Sequence, residues 1–277
     1  MKKKNIFPPL LCAALAVTFV SCSDDNPPAP PTPTVVKEWN IPMAARYENN
    51  PPAGRTETGT ANLKLLSDNT ISYTVSVTGL AAGDALTNAH IHVGDVITSG
   101  GIVQDFTPTF SGTTSATGTV TNIRSTFIDS LKSDANELYF NVHSTQVPGG
   151  LLRGQLNKTI EYADYLTMNG ANEFPPVTTT ATGNALIRFT SDSTVYVKVT
   201  VANLEAGDAW TAAHFHKGAA GTTAPVLLGF YASAADFGTA KVIKTSSAIY
   251  TSLKNDPMYV NAHTTLAPGG KIRAQLR

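Results

Sequence analysis

The chain is predicted to be all-β, two tandem antiparallel β-sandwich domains with only short helical turns. Three observations carry this. Short apolar alternations of period two recur along a sequence rich in Thr, Val, Gly and Pro. Turn residues separate them, as they separate strands. The sequence also repeats itself once. Pro51 to Gly94 aligns with Pro175 to Gly218 without a gap at a constant offset of 124 residues, with roughly half the positions identical. The later blocks align at an offset of 120, so the connecting loops differ in length. A period this long belongs to a whole domain, not to a solenoid unit. A domain of about 120 residues buries roughly two-thirds of its surface, enough for a core without staples.

The N-terminus reads as an address. Lys2, Lys3 and Lys4 precede the apolar stretch Ile6 to Val20, and Ser21-Cys22 follows. A basic start, a short apolar run and small residues before a cut site describe a secretory signal. The stretch contains Pro8-Pro9 and is short for a membrane span. Cysteine after the small residue resembles a bacterial lipoprotein lipobox, with Phe19 in place of the more usual leucine. That resemblance implies a signal over residues 1–22 and a lipid on Cys22. Ser23-Asp24-Asp25 resembles the acidic export signal of surface lipoproteins in Bacteroidetes-type bacteria. It implies a Gram-negative outer membrane or cell surface, with the membrane as partner through the lipid. Asn26 to Thr34 is almost all Pro, Ala and Thr, a tract that cannot bury a core and favours extended conformations, so residues 23–37 are read as a spacer. Domain 1 is then residues 38–157 and domain 2 residues 158–277.

Cys12 lies in the signal and Cys22 would carry lipid, so the mature domains have neither a disulfide framework nor a thiolate site. Charge decides little. Domain 1 has 6 basic and 10 acidic residues, domain 2 has 10 and 8, and the whole chain is neutral. No basic stripe points to nucleic acid.

Within the domains, Ile71 to Val77 and Val195 to Val201 alternate as half-buried strands do, with turns at Asp68-Asn69 and Asp192-Ser193. Short helices are expected at Ser125 to Ser133 and Ser246 to Lys254. The same alternation places the histidines. All six fall in two matching sets, His90, His92 and His143, and His214, His216 and His263. Ala89 and Ile91, like Ala213 and Phe215, should take the core face. His90 with His92, and His214 with His216, then point outward together, their Cα atoms about 6–7 Å apart. On the later strand Phe140 and Val142 face the core. Tyr139, Asn141 and His143 face out, as do Tyr259, Asn261 and His263. After a Pro-Gly-Gly turn, Arg153 and Gln155, or Arg273 and Gln275, also point outward. Alternation does not say which strands are neighbours.

Three outward imidazoles suit zinc or copper. The alternative is a hydrogen-bonded polar cluster tying loops to the sandwich wall. As metal ligands the six histidines would have Asn141, Arg153, Asn261 and Arg273 as outer partners. Arg153 and Arg273 are better read as holding loop carbonyls or a carboxylate such as Glu173. Asp84 and Asp208 are assigned no chemistry. No phosphate loop, nucleophile elbow or glycosidase carboxylate pair is present, so no catalytic residue is named. Aromatics are sparse, and no stacking platform for sugars or bases is evident.

The block Leu166 to Pro176, then Thr182-Gly183, Ala213-His-x-His and Pro268-Gly-Gly-x-x-Arg273-x-Gln resembles a CHRD domain. The first copy matches from about Trp39 to Leu156, with Glu48-Asn-Asn-Pro51-Pro52 as a looser opening. In chordin the family is associated with extracellular growth-factor binding. This chain lacks chordin's cysteine-rich modules, so that role is not carried over. A more distant likeness is to the copper side of Cu,Zn superoxide dismutases, which implies His90, His92 and His143 as ligands and Arg153 as an anion guide. The bridging histidine, the zinc-loop histidines and the disulfide of that family are missing, and fold analogy does not license an activity. Either an immunoglobulin-like or a superoxide dismutase-like sandwich satisfies the pattern. Three functions follow: an envelope-anchored extracytoplasmic binding or adhesion module for an unidentified ligand, a metal-handling or copper redox protein, or a structural spacer of the envelope.

Overall fold

Why each domain closes around one core follows from its strand alternation. The computed structural model describes residue 1 and residues 31–110, 112–134 and 136–277. The expected signal, Cys22 and the first part of the spacer lie outside the described residues. Among those described, no helix is long and apolar enough to cross a membrane.

Domain 1 consists of β1 (Val35–Ala44), β2 (Thr58–Leu66), β3 (Ile71–Thr78), β4 (Leu86–Val93), β5 (Ile102–Asp105), β6 (Ser115–Val120), α1 (Ser125–Ser133), β7 (Leu138–Ser144) and β8 (Leu152–Gln155). The β1 strand begins inside the segment read as spacer. Val35 pairs with Leu66, and the Thr34 amide donates to Ser67 Oγ at 3.0 Å, so β-branched residues there extend the sheet. Domain 2 repeats the order with β9 (Ile160–Asn169), β10 (Thr182–Thr190), β11 (Thr194–Ala202), β12 (Trp210–Lys217), β13 (Val226–Tyr231), β14 (Lys241–Lys244), α2 (Ser247–Asn255), β15 (Met258–Thr264) and β16 (Ile272–Gln275).

Each domain is one eight-stranded antiparallel sheet, in the order β5-β4-β7-β8-β1-β2-β3-β6 and its counterpart β13-β12-β15-β16-β9-β10-β11-β14. The two four-stranded halves meet at a single bridging pair, Ala44 with Arg153 in domain 1 and Asn169 with Arg273 in domain 2. The all-β, two-domain fold is thus as expected, with the sandwich made by one curled sheet. In domain 1 the inward residues of both halves share one core. Ile41 and Met43 of β1, Leu63 of β2 and Val75 of β3 meet Ile91 of β4, Phe140 of β7 and Leu152 of β8. Domain 2 does the same with Ile187, Val197, Phe215, Val260 and Ile272. Both short helices are present. Phe127, Ile128 and Leu131 bury one side of α1. In α2, Tyr250 and Leu253 are buried, and the Ser246 side chain caps the first turn by accepting from the Ile249 amide.

A third cluster joins the domains. Val96 and Ile97, from the loop after β4, pack on Ile160, Ala163, Leu186 and Tyr196 of domain 2, with Tyr47 beside them. Arg188 of β10 is fully buried there. It donates to the carbonyls of Asp164, Ile187, Arg46 and Glu48, each at 2.8 Å. Residues 33–277 accordingly form one compact unit.

Candidate metal centres

The sheet register brings the separated histidines together. The β4 strand pairs with β7 so that His90 faces Asn141 and His92 faces Tyr139. Next, β7 pairs with β8 so that Asn141 faces Arg153 and Tyr139 faces Gln155. Two rows therefore run across the outer face, His90-Asn141-Arg153 and His92-Tyr139-Gln155. His143, two residues beyond Asn141, shares that face. Domain 2 repeats both rows, with His214 opposite Asn261 and His216 opposite Tyr259, and Asn261 opposite Arg273.

Hydrogen bonds fix the rings. His92 Nδ1 lies 3.0 Å from the Gly100 carbonyl and His143 Nδ1 lies 2.9 Å from the Pro148 carbonyl. A carbonyl only accepts, so each ring carries its proton on Nδ1 and turns the lone pair of Nε2 toward the cluster. His90 Nδ1 closes the set, 3.0 Å from His143 Nε2. In domain 2 the distances are 2.8 Å for His216 Nδ1 to the Ala224 carbonyl, 2.9 Å for His263 Nδ1 to the Pro268 carbonyl, and 3.1 Å for His214 Nδ1 to His263 Nε2. One ring nitrogen from each of His90, His92 and His143 lies within 4.8 Å of the others, and the same holds for His214, His216 and His263. The Nε2 atoms of His92 and His216 are buried and have no hydrogen-bond partner. The open nitrogen at the same place in both copies is a donor atom that could take an ion.

Burial also sets the charge state. It lowers the values of His90 and His92, His90 also through the neighbouring His143. His214 falls to about 4, from burial and then from His263 and His216, and burial lowers His263 as well. Neutral imidazoles are the form that binds a metal.

Arg153 and Gln155 face the same side as the histidines but are not at the surface. Arg153, Asn141 and Gln155 are buried beneath the loop that follows β4. Arg153 donates to the carbonyls of Asp95 and of Thr98, and Gln155 donates to the Gly94 carbonyl. That loop supplies the Gly100 carbonyl that orients His92. Arg273 does the same work with the carbonyls of Thr222 and Ala219, at 2.7 and 2.9 Å. The guanidinium carbons of Arg153 and Arg273 lie 3.5 and 3.4 Å from the ring centroids of Tyr139 and Tyr259. His92 and His216 stack on those same rings, with centroids 4.9 and 4.7 Å apart. Arg153 is fully buried, with one nitrogen on two loop carbonyls and its face on a ring, so the anion-guide role drawn from the dismutase likeness does not fit it.

The asparagines lie against carboxylates, of which the sequence pointed only to Glu173, and then as a partner for an arginine. Asn141 Nδ2 donates to Glu48 Oε1 and to the Leu152 carbonyl. In domain 2, Glu173 Oε1 and Asn261 Nδ2 lie together beneath Gly270, as Glu48 and Asn141 lie beneath Gly150. Glu48 and Glu173 end equivalent 3-10 turns. Burial raises both values, Glu173 to about 7. The Pro-Gly-Gly turn must pass directly over this pair. A side chain at Gly150 would meet Asn141 and Glu48 at 2.9 Å, and Gly150 has φ +131°. The repeated Glu before Pro-Pro in the opening motif was the signal for these carboxylates.

Asp84 and Asp208, read as loop residues without chemistry, are structural clamps. Asp84 takes Arg55 Nη2 at 2.5 Å and Ser144 Oγ, Thr145 Oγ1 and the Gln146 amide at 2.8–2.9 Å. Burial pushes its carboxyl up, but these donors outweigh burial and hold it well below the usual carboxylate range. Asp208 binds Thr264, Thr265 and the Leu266 amide alike. Both fasten the turn between the third and fourth strands to the loop after the last histidine. The cation changes from Arg55 in domain 1 to Lys271 in domain 2.

Fold and clusters together define a tandem of two all-β domains, each with three imidazoles converging on one outer wall. The family model of the CHRD domain matches residues 40–156 and 165–276. The chain belongs to the CHRD-domain family, with two tandem copies. No match was found among curated proteins or among solved structures.

Proposed function

We propose that the protein is an exported, lipid-anchored binding module of a bacterial envelope, in which each CHRD domain holds one zinc or copper ion through its three histidines. The observation that carries the metal reading is the doubled geometry. In both copies two rings are pinned through Nδ1 to loop carbonyls, and the Nε2 atom of one of them is buried without a partner. A hydrogen-bonded cluster serving only to tie loops would not leave that atom open.

Bound metal would draw the loop after β4, the Pro-Gly-Gly loop and the two central strands onto one point. A rigid outer wall suits a module that presents a surface to a ligand. The redox alternative has no support from Arg153, which is committed to carbonyls. Anchoring rests on the sequence around Cys22 alone.

Equilibrium dialysis of the purified protein against zinc and copper tests the metal reading. About one ion per domain and a raised melting temperature are expected, because the ion binds the folded state preferentially. No saturable uptake at micromolar metal contradicts it. Electron paramagnetic resonance of the copper form, with and without reductant, separates a redox protein from a structural zinc site.

A further inference from the structure

The two domains use the same surface differently, and only one of them is seen with its partner. In domain 1 the 3-10 turn at Ala45–Tyr47 and its closing residue Glu48 form a cradle. Arg188 enters it and donates to the carbonyls of Arg46 and Glu48. Val96 and Ile97 wall it on one side. Domain 2 has the equivalent turn at Gly170–Asn172, closed by Glu173. There Ala171 and Glu173 stand where Arg46 and Glu48 stand in domain 1. Among the described residues nothing donates to the carbonyl of either. Ala220 and Gly221 replace Val96 and Ile97. The smaller side chains leave an open pocket of about 460 Å³, lined by Leu166, Ala171, Glu173, Phe174, Ala220 and Gly221 among others.

Two further features mark this pocket as built. Glu173 lines it and is only 7% exposed, with its Oε1 atom turned beneath Gly270 beside Asn261 Nδ2. Phe174 is 49% exposed at the rim, where domain 1 has Asn49. The nearby cation is already committed, because Arg273 is held by Thr222, Ala219 and the Tyr259 ring.

We propose that this pocket is a docking site for an arginine side chain carried by a partner protein. Two free carbonyls offer the acceptors a guanidinium needs and the neighbouring Glu173 carboxylate offers the opposite charge, as the carbonyls of Arg46 and Glu48 and the charge of Glu48 do for Arg188. Phe174 supplies an apolar face for the residues flanking the arginine. A second copy of this chain does not supply the occupant. The counterparts of Arg188, Leu186 and Tyr196 on domain 1 are Lys64, Asn62 and Ser72, and Lys64 pairs with Glu38 at 3.5 Å. That face has neither the guanidinium nor the apolar groups that the domain interface uses.

The site is independent of metal binding, and its test needs no metal. The probe is a blocked hexapeptide with the sequence of residues 185–190, which presents an arginine as β10 does. It is titrated into the whole isotopically labelled protein at about pH 8, above the Glu173 value of about 7, and amide resonances are followed. Saturable shifts are expected at Ala171 to Phe174 and at Ala220 and Gly221. Citrulline in place of the peptide arginine, which keeps the shape and removes the charge, should weaken binding about tenfold or more. The variant Glu173→Gln should weaken it in the same direction. Equal binding of the citrulline peptide overturns the proposal. So do shifts confined to Arg46 to Asn49, where the peptide would only be displacing Arg188. Absence of saturable shifts up to about 10 mM peptide, weaker than any useful anchor, overturns it as well.

Discussion

Arg188→Met tests whether the two domains are held together by a buried guanidinium. Arg188 has no exposed surface and donates four hydrogen bonds to carbonyls, two of them in domain 1. Burial lowers its value to about 9, with Arg153 as a second cause, while Asp164 and Glu48 oppose the shift. Methionine fills much of the volume but donates nothing. The carbonyls of Arg46 and Glu48 would then stay buried without a donor, and Glu48 would lose one of the two arginines that favour its charge. An unsatisfied buried acceptor costs about 1–3 kcal/mol, and breaking a buried charge network costs about 3–5 kcal/mol. The loss should therefore lie near the upper of these ranges. Urea unfolding of the whole chain, followed by circular dichroism and by the domain-2 residue Trp210, measures it. A single transition should give way to two as the domains uncouple. A loss below about 1 kcal/mol, the size of an ordinary surface change, would refute the reasoning, as would a transition that stays single.

Other expectations follow from the same contacts. Glu173 has a folded value raised by burial to about 7 against an ordinary 4.5, so its contribution is fully present below about pH 4.5 and is lost as pH rises through about 7. Glu173→Gln should flatten the fall in melting temperature across that window, and an unchanged slope would count against the assignment. Asp84→Ala removes five hydrogen bonds in domain 1 and should cost about 2 kcal/mol, read as a lower urea midpoint. Residues 33–157 and 158–277 expressed apart should each give β-type circular dichroism with reduced stability, because Val96 and Ile97 lose their cover. Failure of both halves to fold would sink the independent-domain reading. Cys22→Ala should move the protein from the membrane fraction to the soluble one, and unchanged detergent partitioning would remove lipidation.

Much of the site was legible in the sequence. The alternation of Ala89, Ile91, Phe140 and Val142 against the histidines set the outward face, because a strand has only two faces. The duplication doubled the signal. The burial of that face was not legible. Arg153 points outward by alternation, yet the loop after β4 folds over it, and the pairing of β4 with β7 depends on a connection that crosses the domain. Arg188 also reads as a solvent-facing strand residue. The clue lay in its neighbours, since Leu186 and Tyr196 stand where domain 1 has Asn62 and Ser72. An apolar pair on an outward phase marks a covered face. Glu48 was visible only as a member of a motif and Glu173 only as a partner for an arginine, because the contact of Glu48 with Asn141 joins segments about 90 residues apart.

The central claim is that each histidine trio forms one metal site, and metal stoichiometry in a domain-selective variant tests it most directly. His90→Ala combined with His92→Ala removes two ligands from domain 1 and leaves His214, His216 and His263 intact. The account predicts that bound zinc or copper falls from about two ions per chain to about one, at unchanged affinity for the remaining ion. A double variant that binds as much metal as the wild-type protein, or a wild-type protein that takes up none, would contradict it.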